Sequence, residues 1–209
     1  MAEVPDAAGA SAASATTPTL ILASASPRRR ELLARLDVTP LRIAAADIDE
    51  TPQAGELPRP HAARLARGKA LALAADGAAD RAHVLAGDTV VAVGRRILPK
   101  AEDADTAAAC LRLLSGRRHR VFSAIALLSP DGTLRERISE TQLRFKPLTD
   151  GEIAAYVASG EWKGKAGGYG IQGRAEALVA WMAGSHSGVI GLPLFETRAL
   201  LKAAGFPLG

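Results

Sequence analysis

The stretch from His83 to Val93 is apolar on both sides of Gly87-Asp88-Thr89, with Val84-Leu85-Ala86 before it and Val90-Val91 after it. It reads as a buried strand interrupted at Gly87-Asp88, and any fold that contains it must account for a carboxylate set among hydrocarbons. Burying a charge is costly unless the charge is paired, bound to a metal or put to chemical use. Asp88 therefore meets a cation or serves as a base with Thr89 beside it; the bland alternative is an Asp that caps a local turn.

Around that strand the apolar periods alternate between two and 3.6. Leu20 to Ala25 reads as a strand, Pro27 to Leu36 as a helix with Ser26 as its cap and Pro27 at its first position, and Leu41 to Ala46 as a second strand. Gln53 to Pro60 reads as a loop, His61 to Ala79 as a long helix, and the run from Asp103 to a stop at Ser115-Gly116 as another. Val121 to Leu128 and Leu134 to Phe145, joined at Pro130-Asp131-Gly132, have the pattern of an antiparallel hairpin. Thr149 with Glu152 forms a capping box for a helix over Gly151 to Ala158. A glycine-rich loop, Gly160 to Gly173, then leads to a strand over Ala177 to Ala183, a turn at Gly184 to Gly188 and a last helix near Phe195 to Ala204. The order predicts an α/β fold with a mixed, partly antiparallel twisted sheet flanked by helices.

Composition says what the core is made of. Of 209 residues, 44 are Ala and only 4% are aromatic, so the expectation is a closely packed Leu, Val, Ile and Ala core without large aromatic anchors. No apolar run approaches the roughly 18 residues of a membrane span. The first 27 residues hold no Lys or Arg, so Met1 to Pro18 reads as a disordered leader and neither a signal nor a transit peptide; residues 19–209 read as one globular domain, or two small lobes sharing a core. The single cysteine, Cys110, reads as a buried hydrophobe, which fits a reducing cytoplasm. Net charge is +4, and +6 without the leader's Glu3 and Asp6, which points to an anionic partner. Scattered basic residues and scarce aromatics argue against a nucleic-acid reader.

Several segments offer chemistry. Ser24-Ala25-Ser26-Pro27-Arg28-Arg29 lies between a strand and the mouth of a helix, where unbonded N–H groups, two hydroxyls and two guanidiniums outline an anion site; a capped helix with solvated arginines is the plain alternative. Glu50, Lys69 and Lys100 would complete a polyphosphate site only if they converge in space. Gly168, Gly170 and Gly173 satisfy G-x-G-x-x-G formally, but the polar Glu161 to Lys165 precedes them where a strand is required. Gly160 to Lys165 also fails as a Walker A loop, with Ala166 where Ser or Thr must stand. What survives is a backbone that approaches a ligand closely, with Gln172 able to donate to and accept from a base edge. No H-E-x-x-H pair and no Gly-x-Ser-x-Gly elbow occurs, so the expected metal is Mg²⁺, which takes one or two carboxylates plus substrate phosphates.

In order, these pieces resemble the Maf family, the septum-formation-associated nucleotide pyrophosphatases, over residues 19 to 204. The resemblance rests on Ala23-Ser24-Ala25-Ser26-Pro27-Arg28-Arg29, Asp49-Glu50, Leu65-Ala66 with Lys69-Ala70, Gly87-Asp88-Thr89-Val90-Val91, and Leu98 with Lys100. It continues through Leu114-Ser115-Gly116 with His119 and Val121, Lys165-Ala166-Gly167 with Tyr169-Gly170-Ile171-Gln172-Gly173, and Gly191-Leu192-Pro193-Leu194. It implies an elongated, two-lobed fold similar to inosine triphosphate pyrophosphatases, with a central cleft. It also implies hydrolysis of nucleoside triphosphates to monophosphate and pyrophosphate, dependence on Mg²⁺ or Mn²⁺, and a homodimer. By position, Asp88 matches the proton acceptor. Ser24, Ser26, Arg28, Arg29, Glu50, Lys69 and Lys100 match the phosphate and metal site, with Glu50 and Asp88 as metal ligands, and Arg28, Thr89 and Gln172 match places tied to base choice. The Ala-Gly-x-Tyr-Gly-Ile-Gln-Gly stretch is similar to the branch acting on dTTP and UTP. Alternatives are a broader or modified-nucleotide pyrophosphatase, for example on 7-methyl-GTP, and a non-catalytic regulator of septum formation that binds nucleotide or nucleic acid. Ala101, Ser123, Arg174-Ala175 and His186-Ser187 depart from the family pattern.

Overall fold

The computed structural model describes residues 17–75 and 81–209. The leader expected over 1–18 lies outside them except for its last two residues, as does most of the tail of the helix expected over 61–79. Among the described residues the strands are Leu20–Ala23 (β1), Arg42–Ala44 (β2), His83–Val93 (β3), Arg96–Ile97 (β4), Lys100–Ala101 (β5), Arg118–Leu128 (β6), Leu134–Phe145 (β7), Lys165–Ala166 (β8) and Val179–Ala183 (β9). The helices are Pro27–Ala34 (α1), Pro58–Leu73 (α2), Ala104–Leu114 (α3), Asp150–Ala158 (α4), His186–Ile190 (α5) and Leu194–Ala203 (α6). One sheet runs β2-β1-β3-β6-β7-β9 with β4 attached to β3, and β5 pairs separately with β8. Pairing is parallel across β2, β1 and β3 and antiparallel from β3 onward, the mixed α/β sheet that the alternation predicts.

β3 is not interrupted. Gly87, Asp88 and Thr89 pair with Ile125, Ala124 and Ser123 of β6 without a break. Gly and Asp are rare in strands because they pack poorly on a pleated face and, for Gly, because fixing its backbone costs entropy, but neither residue is barred from an extended conformation. The break falls on the other edge: β1 pairs with β3 only as far as Ala23 with Ala86, so beyond Ala86 the two strands part. Ligands of open α/β sheets bind at the carboxyl ends of parallel strands, where such a crevice opens.

Side chains alternate along β3, so Val84, Ala86, Val90 and Ala92 share a face with Asp88 and pack in a small-residue cluster with Ala62, Ala66 and Ala70 of α2. Those three alanines are four apart and line one side of the helix, which lets α2 lie close enough for Lys69 to reach the strand. The helix begins at Pro58, inside the expected loop. Leu57 adopts an extended conformation before it, and the prolines fall in the first turn, where N–H groups have no helical partner.

The opposite face carries the larger core, with Leu85, Leu111, Ile125, Leu143 and Phe145 at its centre. Here the expectation of a core without aromatic anchors fails: Phe145, Tyr156, Trp162, Tyr169 and Phe206 are all buried in it, and Phe122 is buried in the cluster on the other face. Aromatics are scarce but concentrated, with Phe145, Tyr169 and His119 meeting edge to face at 4.9–5.6 Å between ring centroids. The capping box at Thr149 and Glu152 is present, and Asp103 caps α3 through the Thr106 N–H. Ser26 occupies the cap position of α1 without a side-chain bond; its own N–H donates instead to Ser24 Oγ. The expected turn over 184–188 contains the start of α5, capped by Ser185, and the expected strand from Ala177 begins two residues later, after a short 3₁₀ turn.

The glycine-rich segment is docked, not loose. Gly164 and Gly167 donate to the carbonyls of Ala101 and Pro99, framing the β5–β8 ribbon. Gly167 has φ +68°, and a Cβ there would lie 2.8 Å from Val91 Cγ1. Gly167→Ala therefore meets both backbone strain and overpacking against β3, and is expected to cost about 2–4 kcal/mol. Denaturant unfolding with an unchanged midpoint would refute this docking.

Candidate active site

A cavity of about 640 Å³ opens where β1 and β3 part. All ten residues singled out in the sequence border it: Ser24, Ser26, Arg28, Arg29, Glu50, Lys69, Asp88, Thr89, Lys100 and Gln172. The convergence that Glu50, Lys69 and Lys100 needed is present. Six cationic side chains, the four named plus Lys163 and Lys165, line the cavity against two carboxylates. The excess of four positive charges raises the local concentration of anions.

The Lys69 ammonium, on the buried face of α2, bridges both carboxylates: it lies 2.7 Å from Asp88 Oδ1 and 2.6 Å from Glu50 Oε1. Asp88, 5% exposed, is thus a buried charge with a partner and not the turn cap of the bland reading. Only Oδ1 is engaged; Oδ2 has no side-chain partner among the described residues. Lys100 Nζ sits 2.5 Å from Glu50 Oε2. Burial pushes the Glu50 carboxyl up, but hydrogen bonds from Lys100 and Lys69, with their charges, outweigh it and hold the group at about 2.

The two arginines have different roles. Arg29 spends its guanidinium within the protein, donating from Nε to the Gly191 carbonyl at 2.8 Å and from its terminal nitrogens to Ser24 Oγ and Thr89 Oγ1. It ties the end of β1 to β3 and to the end of α5. Gly87 leaves room for this, since a Cβ there would approach Arg29 Nε to 3.3 Å. Arg28 makes no ion pair among the described residues, and its buried Nε has no partner. Burial lowers its pKa, against the raising pull of Glu31. Arg28 therefore has donors to offer a ligand.

The segment that carries Gln172 is pinned by two phenols. The Gly170 N–H donates to Tyr156 Oη at 3.0 Å, and Tyr169 Oη meets His119 Nε2 at 2.9 Å. Burial lowers the His119 pKa to about 4, so the ring is neutral near pH 7, and burial pushes the Tyr169 hydroxyl upward. Sequence reasoning assigned no site role to Lys165, which was visible only as one residue of a family motif. Its place on the cavity wall follows from a two-residue ribbon too short to show a period.

Glu50 sits on a loop fixed from below. Glu56 accepts from Arg64 Nε and Nη2 at 2.7 and 2.8 Å, meets His61 Nδ1 at 2.8 Å and accepts from the Gln53 N–H, while Arg64 also donates to the Thr51 carbonyl. These groups tie residues 51–56 to the first turns of α2. The Arg64 hydrogen bonds are the main cause that holds the Glu56 carboxyl down at about 2.

As for a metal, no group of three or more His, Cys, Asp or Glu gathers among the described residues. The donors present are oxygens of two carboxylates already drawn to one cation, a set that suits a hard ion completing its shell with water and ligand oxygens. The nucleotide fingerprints rejected from the sequence have no structural counterpart: only the two residues of β8 precede the glycines, and a 3₁₀ turn, Arg174–Leu178, follows them. No helix among the described residues is long and apolar enough to cross a membrane.

This α/β sheet with a cation-rich cavity at its parting strands carries the order of motifs of one family. The chain belongs to the Maf-like protein family, whose model matches residues 19–204. A relative from Novosphingobium aromaticivorans named dTTP/UTP pyrophosphatase is 66% identical over 198 residues, spanning 95% of this chain and 98% of that one. Relatives of the same name from Rhodospirillum rubrum and Sphingopyxis alaskensis are each 62% identical, over 91% and 92% of this chain and 90% and 100% of their own. A solved HAM1 protein from Coxiella burnetii, 18% identical, superposes over 90% of this chain and 100% of its own with a TM-score of 0.49, too distant to argue from.

The support beneath Glu50 is testable. Glu56→Gln keeps the shape but removes the charge that Arg64 grips, and is expected to cost about 1–3 kcal/mol near pH 7. The folded-state pKa of Glu56 is depressed, so its stabilisation is present above the unfolded value of about 4.3 and is lost as pH falls through about 2. Wild type and variant should therefore converge in stability toward pH 2; a gap that stays constant with pH would show that the charge has no part.

Proposed function

We propose that this protein hydrolyses nucleoside triphosphates at the α–β anhydride, releasing pyrophosphate and the nucleoside monophosphate, with dTTP and UTP as preferred substrates. The observation that carries the reading is the cavity's surplus of cations around one buried, partnered aspartate. The names of relatives at 62–66% identity point the same way.

In this mechanism Arg28 and Lys100 oppose the phosphate charge, while Lys69 keeps Asp88 and Glu50 in place. Asp88 accepts a proton from the attacking water at the oxygen Lys69 leaves open. The water oxygen bonds to the α-phosphorus as the bond to the bridging oxygen breaks, and pyrophosphate leaves with the electron pair. A divalent cation, Mg²⁺ or Mn²⁺, held by Asp88 and Glu50 would neutralise further phosphate charge. Displacement at phosphorus leaves little covalent work for side chains, so barrier lowering comes mainly from positioned charge. Ser24 and Thr89 act indirectly, by seating Arg29. Gln172 supplies the base-reading carboxamide.

Asp88→Asn preserves size and an acceptor for Lys69, and is expected to lower turnover at least about 10²-fold while leaving nucleotide binding in place. Pyrophosphate release from a panel of natural and methylated triphosphates is the assay. Wild-type rates on the variant would sink the assignment, preference for 7-methyl-GTP would move the substrate, and binding without release would indicate a regulator. Chelation should abolish turnover, with Mg²⁺ or Mn²⁺ restoring it; turnover that persists in chelator would remove the metal from the mechanism.

A further inference from the structure

Of the six cations in the cavity, Lys69 and Lys100 are held by Glu50 and Asp88, Arg29 by a carbonyl and two hydroxyls, and the exposed Lys163 lies over the Trp162 ring; Arg28 and Lys165 make no ion pair among the described residues. The acid nearest Lys165 in sequence, Glu161, is committed elsewhere: it accepts from the Arg174 N–H at 2.8 Å and faces the Arg174 guanidinium at 3.6 Å. Lys165 is half-buried, and besides that desolvation the like charge of Arg28 acts on it more strongly than the opposite charge of Glu161. Holding two desolvated like charges near each other is unfavourable until an anion joins them.

The course of the Lys165 side chain is set by Gly170. A Cβ built on Gly170 would lie 2.7 and 2.9 Å from Lys165 Cε and Cδ and 2.9 Å from Gln172 Nε2. The cation and the carboxamide therefore lie side by side over a residue with no side chain. The backbone of Gly170 is outside the left-handed region, so alanine is permitted there. The atoms it would meet are the ends of two flexible side chains.

We infer that Lys165 is a further substrate-binding residue of this cavity, contacting the phosphate chain together with Arg28, and that Gly170 is a specificity-determining position because its bare backbone lets Lys165 and Gln172 address one ligand at once. This rests on the nucleotide reading above, and makes phosphate grip and base choice one coupled contact instead of two independent ones. Arg174 is excluded from the pair, since its partner is Glu161 outside the contact.

Calorimetric binding of non-hydrolysable α,β-imido analogues of dTTP and dCTP to the full chain tests this without requiring turnover. Lys165→Met is expected to weaken the dTTP analogue about ten- to a hundredfold, the loss of one charge-assisted contact, with an unchanged melting temperature. Lys165→Arg should recover most of it. Gly170→Ala should melt like wild type yet change the ratio of the two dissociation constants at least about fivefold. Wild-type affinity in Lys165→Met, or a wild-type ratio in Gly170→Ala, would overturn the inference. So would a lowered melting temperature in Gly170→Ala, since the methyl would then be meeting more than side-chain ends. Pyrophosphate release by the wild type, measured alongside, keeps the readings apart: tight analogue binding without release would sink hydrolysis while the dissociation constants still decide Lys165, and no analogue binding at all would sink both.

Discussion

The ammonium of Lys69 holds the cavity together. It is the point at which α2, the loop after β2 and the central strand β3 meet, because Glu50 and Asp88 reach it from different parts of the chain. A carboxylate on a central strand without this partner would carry the full cost of desolvation, and the cavity would have to shed the group or protonate it. The alanines of α2 are what make the contact geometrically possible. Ala62, Ala66 and Ala70 let the helix axis approach β3 and β6, and a helix bearing Leu or Ile at those positions would stand further off. The alanine richness of the composition thus acts through one interface, where a short distance matters more than buried volume.

From that anchor the charges divide into two groups. Lys69, Lys100 and Arg29 are satisfied within the protein, by carboxylates in the first two cases and by a carbonyl and two hydroxyls in the third. Arg28 and Lys165 are not, and Lys163 meets only the face of Trp162. The adjacent arginines Arg28 and Arg29, chemically identical and consecutive in sequence, therefore differ in what they can do. They project in different directions from the first turn of α1, so one is sequestered by Gly191 and Thr89 while the other keeps donors to offer.

Much of this was legible in the residues. A carboxylate inside an apolar run calls for a cation or for chemistry, and Ser-x-Ser-Pro-Arg-Arg at the mouth of a helix outlines an anion site. Thr149 with Glu152 marks a helix start by a purely local mechanism; the first and last of these readings hold in geometry, and the residues of the second border the cavity. The failures share a cause: they needed long-range pairing. Whether β3 is interrupted at Gly87-Asp88 depends on β6, which lies some 35 residues on and keeps the ladder continuous. Lys165 was invisible as a wall of the cavity because β5 and β8 contribute two residues each, too few for any period. The aromatic core was misjudged because a count says nothing about placement.

A cavity with four surplus positive charges works against its own fold, since each unpaired cation repels its neighbours in a region of reduced dielectric. The rigidity that keeps it open must come from groups that do not titrate against one another. Those groups are present on the side of the unpaired cations: a phenol accepting from the Gly170 N–H, a second phenol against a neutral imidazole, and a guanidinium capped by a backbone carbonyl. Where charges are paired, at Glu50, the support is ionic and lies one layer back, in the Glu56–Arg64 pair. Hydrogen bonds that use no carboxylate hold the wall with the unpaired cations, and an ion pair supports the wall that carries Glu50. Exchanging the two would either pair the cations that are now unpaired or leave Glu50 without a fixed loop, so the placement of each kind of bond follows from the charge each wall displays.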